Sequence, residues 1–242
     1  MPTGKKKMIR AVLVGGMLLA ASGAQAHYLW LEAVEGEMRV YYGEAEGGLR
    51  EKSPGKLDSM GVPRAFVPEG DGRATVLAVS RSNGHFAVAG GHQVATIVVA
   101  EKSASVRDLG KFGLGMAKSN YYARYGQPQD QTTATALLLD VVGNAPNRLT
   151  VVYRGRPLKD AKVEVIAPNT WVQEHKTDAE GKVVINTPWR GHYVVHVLHL
   201  DPTPGAFEGK RYDTLRNHFT YSFRQAEGAD PGPAQPPKQG TD

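Results

Sequence analysis

The fold is decided by residues 148–200, RLTVVYRGRPLKDAKVEVIAPNTWVQEHKTDAEGKVVINTPWRGHYVVHVLHL. Apolar and polar side chains alternate along 161–166, which is the two-residue period of a half-buried β-strand, and residues 192–200 are predicted to form a long strand. Turn sequences separate the apolar runs, with Arg154-Gly155 after the first and Glu180-Gly181 later. This stretch therefore predicts a β-sandwich built from short strands.

The pattern of short apolar runs separated by turns continues on both sides of this stretch. Apolar runs at 38–42, 75–79, 85–89, 94–100 and 218–223 predict further strands, and glycine-containing turns lie between several of them. We predict an all-β fold with two β-sandwich units of immunoglobulin-like or transthyretin-like type, covering 27–145 and 146–225. Residues 226–242 are rich in Pro and Gly and are predicted to be disordered. The tyrosine-rich segment 111–126 is predicted to be a long loop or a short helix.

Residues 1–26 have the pattern of a secretory signal peptide. Four basic residues precede the apolar segment 11–21, and Ala24-Gln25-Ala26 gives the small-x-small cleavage pattern. The apolar segment is short for a membrane span. We expect export by the Sec route, cleavage after Ala26 and a periplasmic protein without a membrane span in the mature chain.

The net charge excludes a nucleic-acid partner. The chain has 29 Lys and Arg against 24 Asp and Glu, and the four basic residues of the leader leave 25 against 24. A mature chain close to neutrality lacks the basic surface that phosphate backbones require. The chain has no cysteine, so its stability depends on core burial, and there is no thiol nucleophile.

Cleavage after Ala26 makes His27 the first residue. Its α-amino group and its imidazole Nδ1 close a six-membered ring around one metal ion. The α-amino pKa of about 7.7–8.0 makes deprotonation by a metal easy near neutral pH. Nitrogen ligands suit Ni, Co, Cu and Zn. His27 is therefore the first candidate ligand.

The other histidines offer no self-contained metal motif. His192 and His196 share a strand face but are about 13 Å apart, and no HxH or HExxH spacing is present. Any site must be assembled from distant segments. His199 and His218 are the candidate partners of His27, with a structural, hydrogen-bonded role as the alternative for each. The acidic residues between 32 and 51 are a further source of a carboxylate ligand.

Three segments, HYLWLE, YYGEAEGGLREKSPGKLD and LGMAKSNYYARYG, resemble the periplasmic family of the domain of unknown function 4198. The stretch GRPLKDAKVEVI…TDAEGKVVINTPWRGHYVVHV also resembles carboxypeptidase-regulatory-like domains, which have no catalytic machinery. The first resemblance implies a β-sandwich protein associated with nickel or cobalt uptake, which passes its ion to a metal-ion permease in the inner membrane. Of the family's residues, only His27 is carried over to this chain.

The leading hypothesis is thus a non-enzymatic protein that binds a transition-metal ion, with Ni or Co favoured and Cu or Zn as alternatives. One alternative is a non-catalytic carbohydrate-binding or structural β-sandwich, in which Tyr121, Tyr122, Tyr125, Trp171 and Trp189 stack on sugars. Another is a copper-dependent polysaccharide oxygenase, in which His92 would be the second ligand beside His27. The residues alone leave these alternatives open.

Overall fold

The computed structural model describes residues 27–69, 72–127, 137–233 and 236–240, so the predicted leader 1–26 lies outside the described residues. The described chain contains three short 3₁₀ helices (Lys56–Ser59, Gly91–Gln93 and Gly110–Phe112) and no α-helix. No helix in these four ranges has the length and apolar character needed to cross a membrane. The strands are β1 (Tyr28–Val34), β2 (Glu37–Glu44), β3 (Leu49–Arg50), β4 (Arg64–Pro68), β5 (Ala74–Leu77), β6 (Val79–Arg81), β7 (Phe86–Val88), β8 (Ile97–Glu101), β9 (Arg107–Asp108), β10 (Met116–Tyr125), β11 (Leu139–Ala145), β12 (Arg148–Tyr153), β13 (Arg156–Pro157), β14 (Lys162–Ile166), β15 (Val172–Lys176), β16 (Lys182–Val184), β17 (Gly191–Asp201), β18 (Gly205–Phe207), β19 (Lys210–Tyr212), β20 (Thr214–Gln225) and β21 (Lys238–Gln239).

A nine-stranded sheet forms the centre of the fold. Its order is β15-β14-β17-β20-β10-β8-β4-β5, with β9 paired to the start of β10. β10 and β20 run parallel, whereas the other pairs in this sheet are antiparallel. Because successive side chains of a strand point to opposite faces, this sheet presents two faces that must both be covered.

Two outer sheets cover those faces. A sheet of β1, β2, β3, β6, β7 and β21 buries Leu31 and Val40 against Val99 on one face. A sheet of β11, β12, β13 and β16 buries Val151 against Val195 on the other. A smaller cluster, with Trp30 and Tyr41 against Val194, lies on the same side as the first of these. The described residues thus form three layers, and the prediction of an all-β sandwich fold is confirmed.

The predicted boundary after residue 145 does not separate two sheets. β10, from the first predicted unit, pairs with β20, from the second, over nine positions between Ala117↔Thr214 and Tyr125↔Ser222. The predicted units 27–145 and 146–225 therefore share the central sheet. Each outer sheet makes one sandwich with it.

The prediction of a loop or short helix over 111–126 is wrong for Met116–Tyr125, which is the central strand β10. Its polar residues suggest a loop, yet they are buried with partners. Lys118 Nζ donates to the carbonyl oxygens of Lys102 and Ser119 at 2.6 and 2.8 Å. A strand covered on both faces also loses the polar and apolar alternation that marks a half-buried strand.

The C-terminal segment differs from the disorder predicted for 226–242 at two points, and at the first of them Ala229 forms a parallel bridge with Trp189. Lys238 and Gln239 pair in parallel with Leu49 and Arg50, and the Lys238 amide donates to the Gly48 carbonyl at 2.8 Å. The short strand β3 lies next to the edge of its sheet, where backbone groups are open to a further strand.

Candidate functional site

His27 is positioned by the antiparallel pairing of β1 with β2. Tyr28 lies opposite Gly43, so Glu44 at the end of β2 is beside His27. Gly43 has φ +148°, and a Cβ there would lie 2.1 Å from the carbonyl oxygen of Leu49. Only glycine permits this approach of β3, which brings Glu51 to the same place. Two glutamates from different strands therefore flank His27.

The two ring nitrogens of His27 face two buried carboxylates. Nδ1 lies 3.0 Å from Oε1 of Glu44, and Nε2 lies 2.5 Å from Oε1 of Glu51. Glu44 is 1% exposed and Glu51 is 2% exposed, whereas the His27 side chain keeps 22% of its surface accessible. Burial raises the pKa of the Glu44 carboxyl, since the charged form is poorly solvated there.

Glu44 Oε1 is the atom of this site that lacks a hydrogen bond. It is buried, and the 3.0 Å approach of His27 Nδ1 does not give it a hydrogen-bond partner. An unpaired buried carboxylate oxygen is costly and calls for an explanation. A cation held between this oxygen and Nδ1 would supply one.

Tyr28 holds the start of the chain in place. Its hydroxyl donates to the Glu46 carboxylate and accepts from the Ala45 amide at 2.9 Å. Its ring stacks on His196 with 4.2 Å between centroids. The residue after His27 is thus tied both to β2 and to the central sheet.

A buried chain of hydrogen bonds runs from Glu164 through His196 to His218. Glu164 Oε2 lies 3.0 Å from His196 Nδ1, and this bond lowers the pKa of the Glu164 carboxyl to about 2. An ionised carboxylate accepts only, so Nδ1 of His196 carries the hydrogen. Nε2 of His196 lies 3.4 Å from Nδ1 of His218, so the two rings are the next link of the chain.

His218 is the buried end of this chain. Its other nitrogen, Nε2, is buried and has no hydrogen-bond partner. Burial lowers the pKa of His218 well below its usual range, and the charges of Arg216, His196 and His27 act in the same direction. The neutral imidazole that this lowered pKa favours is the form that metal ligation requires.

The predicted ligands are not all brought together. His218 of β20 lies on the face of the central sheet that β1 covers, as Thr220 of the same strand donates to the Leu29 carbonyl at 2.7 Å. His199 points to the other face, where its ring packs on Tyr153 of the opposite outer sheet at 4.2 Å between centroids. The structure therefore places His27 and His218 on one side and His199 on the other.

His92 does not reach His27 either. It is exposed in the 3₁₀ helix Gly91–Gln93, where a Cβ on Gly91 would lie 2.7 Å from Cβ of Met38. Met38 is near the start of β2 and Glu44 is at its end, which is about 20 Å at the rise of a strand. The second ligand of the copper-oxygenase alternative is thus at the wrong end of the strand.

The aromatic residues of the carbohydrate alternative are mostly covered. Tyr121 and Tyr122 are buried, and Tyr125 is half-buried. Trp171 is 51% exposed and packs edge-on against Trp189 with 5.4 Å between centroids. Of these five aromatic residues, Trp171 is the one that is largely exposed, so the surface on which a sugar could stack is much smaller than the sequence suggests.

A cleft of about 670 Å³ opens beside His27. Tyr42 and Tyr121 lie at its inner side, with their rings edge-to-face at 5.9 Å. Apolar and basic side chains form the rest of the lining: Lys56, Arg107, Leu109, Phe112, Leu114, Leu198, Leu200 and Arg216, with Ser59. The exposed part of His27 is therefore reached through a cleft of positive charge.

Within the described ranges, no three His, Asp or Glu side chains are grouped so as to hold a metal ion. A metal site at His27 therefore depends on a main-chain donor, which cleavage before His27 would create. No family model, curated protein or solved structure matches the chain.

Sequence reasoning did not single out Glu44, Glu51 or His196. The crowding of acids between 32 and 51 was the available signal for the first two. It does not show which of them turn inward, because that depends on the close approach of β3 at Gly43. His196 was placed on a strand face correctly, but its contact with His218 depends on the register of β17 with β20.

Proposed function

We infer that the protein captures a divalent transition-metal ion at His27, with Ni²⁺ or Co²⁺ as its cargo. The supporting observation is the separation of 3.0 Å between His27 Nδ1 and Oε1 of Glu44, a buried oxygen that accepts no hydrogen bond. Two ligand atoms about 2.1 Å from one ion, with a right angle between them, are about 3.0 Å apart. The pair thus already has the spacing of adjacent ligands on one ion.

The α-amino group freed by cleavage after Ala26 is the third donor of the proposed site. It closes the chelate ring with Nδ1 and supplies the main-chain ligand that the side chains lack. The buried carboxylate contributes one negative charge, which offsets part of the charge of the ion. The contacts of Tyr28 limit how far the new terminus moves, so little ordering is needed when the ion binds.

Capture and release by such a site fit a role in uptake rather than in catalysis. We propose that the protein is exported to the periplasm and hands its ion to a metal-ion permease of the inner membrane. His27 is partly exposed to the cleft, so a partner or a competing ligand has direct access to the ion. Cu²⁺ and Zn²⁺ bind to the same donor set, and Cu²⁺ binds more tightly than Ni²⁺.

Isothermal titration calorimetry of Ni²⁺ and Co²⁺ tests the proposal. Three forms are compared: the chain beginning at His27, the same chain with one glycine added before His27, and His27→Ala. We expect the added glycine to weaken binding at least about tenfold, because it removes the chelate while leaving the imidazole. Equal affinity with and without the extra glycine contradicts the proposal, and mass spectrometry of the exported protein checks that it begins at His27.

A further inference from the structure

The cleft beside His27 is too large for the ion alone. A hydrated divalent ion with six waters, at about 30 Å³ for each water, occupies about 180 Å³. The cleft measures about 670 Å³, which lies within the range of about 300–1,000 Å³ for small-molecule sites. The space suits an organic molecule.

The charge of the cleft opposes a free cation. Lys56, Arg107 and Arg216 line it, and no carboxylate is among the described residues of its lining. Lys56 is paired with Glu51 at 3.5 Å. Neither arginine has an ion-pair partner among the described residues. A bare divalent cation would approach two uncompensated positive charges, whereas an anion would be attracted by them.

Arg216 is the residue of the cleft that most favours a bound anion. It is half-buried, its Nη1 donates to Ser119 Oγ at 3.3 Å, and its Nε is buried without a hydrogen-bond partner. A guanidinium with a donor that lacks a partner favours a carboxylate as its acceptor. Arg107 is exposed at the same cleft and offers a second guanidinium. Leu109, Leu114 and Leu198 supply apolar walls for a carbon skeleton.

We propose that this cleft binds a small organic polycarboxylate, so that the ion reaches His27 as a chelate of that anion and not as the hydrated ion. Arg216 and Arg107 hold the carboxylates that the ion leaves free, and the ion faces Nδ1 of His27. The position of the ion in this inference rests on the proposed function. The anion site is argued separately, from the charge, volume and lining of the cleft.

The first experiment measures the anion without metal, using isotope-labelled citrate as the probe in equilibrium dialysis at low salt. We expect the wild type and His27→Ala to bind citrate equally. Replacing both arginines by glutamine (R107Q/R216Q) should weaken binding at least tenfold. The matched control is Arg148→Gln, an exposed arginine of β12 in the outer sheet on the other side, and it should bind as the wild type does.

The second experiment adds Ni²⁺ and labelled citrate together in equal amounts. The wild type should retain both in a ratio of one to one, the double variant should retain Ni²⁺ with at least tenfold less citrate, and His27→Ala should retain citrate alone. A wild type that binds Ni²⁺ and excludes citrate overturns this inference. Retention of citrate without Ni²⁺ in the wild type overturns the proposed function instead. Circular dichroism shows whether the loss of Arg216 impairs folding. If it does, the test of the anion site uses Arg107→Gln, which changes an exposed residue. Unchanged citrate binding in that variant overturns the anion site.

Discussion

Arg124 of the central sheet and Asp140 of β11 form an ion pair that joins two layers of the fold. Nη2 of Arg124 lies 3.0 and 2.8 Å from the two oxygens of Asp140. Arg124 is fully buried and Asp140 is 6% exposed. Both residues belong to the first predicted unit, 27–145, and the pair links the central sheet to the outer sheet that contains β11.

Asp140→Asn is expected to destabilise the protein by about 3–5 kcal/mol, because it leaves the Arg124 guanidinium buried without its countercharge. Urea unfolding at pH 7 measures the change. The matched control is Asp230→Asn, which removes the partner of Arg190 in an exposed ion pair and should cost less than about 1 kcal/mol. Equal effects of the two substitutions would show that the buried pair has no special role.

His218 is expected to make the protein less stable in mild acid. Its pKa is lowered by burial in the folded state, whereas the unfolded chain has the ordinary value of about 6.5. In mild acid the unfolded state therefore binds a proton that the folded state does not bind. The contribution of His218 to the free energy of unfolding is fully present above about pH 6.5 and decreases as the pH falls.

From pH 7.0 to 5.5 this single group should lower the free energy of unfolding by up to about 1.3 kcal/mol, which is the limit for a histidine that stays neutral in the folded protein. His218→Gln removes this contribution, so the variant should lose less stability over the same interval in urea unfolding. His92→Gln, at an exposed position, should keep the dependence of the wild type. An identical loss in wild type and His218→Gln would mean that His218 is protonated in the folded protein.

Tyr28→Phe tests how the start of β1 is held. The substitution leaves the Ala45 amide without its acceptor at 2.9 Å and the Glu46 carboxylate without a donor. We expect a loss of about 1–3 kcal/mol in urea unfolding. Tyr125→Phe removes a half-buried hydroxyl of the central sheet and should stay within about 0.5 kcal/mol of the wild type. If both variants match the wild type, the hydroxyl of Tyr28 does not anchor the terminus.

Glu44→Gln should change stability and metal affinity in opposite directions. Without metal, the substitution removes a buried carboxylate whose pKa is raised by burial, so the stability at pH 7 should stay the same or increase. With Ni²⁺, loss of the charged ligand should weaken binding at least about tenfold. Calorimetry and urea unfolding of the same samples separate the two effects.

The control for this prediction is Glu35→Gln, because the side chain of Glu35 is 85% exposed. It should leave both Ni²⁺ affinity and stability unchanged. A Glu44→Gln variant that loses stability and keeps its affinity would identify Glu44 as a structural residue, with no part in binding the ion.

The sequence by itself determined the local structure. The two-residue alternation over 161–166 predicted the strand that the structure has as Lys162–Ile166, and the long run 192–200 predicted the strand Gly191–Asp201. Such a pattern arises because one face of the strand is buried, and it is visible along the chain without any partner. The same reasoning failed for Met116–Tyr125, because burial on both faces erases the alternation.

Only the tertiary structure decided which side chains meet. His27 contacts Glu44 and Glu51 because β3 folds back over Gly43, and His218 meets His196, which in turn contacts Glu164 from a third strand. The separation of His199 from His27 follows from the face that one register assigns to it. Strand pairing and layer order bring together residues that are far apart in the chain, and neither can be predicted from a local sequence pattern. The periodicity of a strand therefore predicts its faces, while its neighbours determine the chemistry on them.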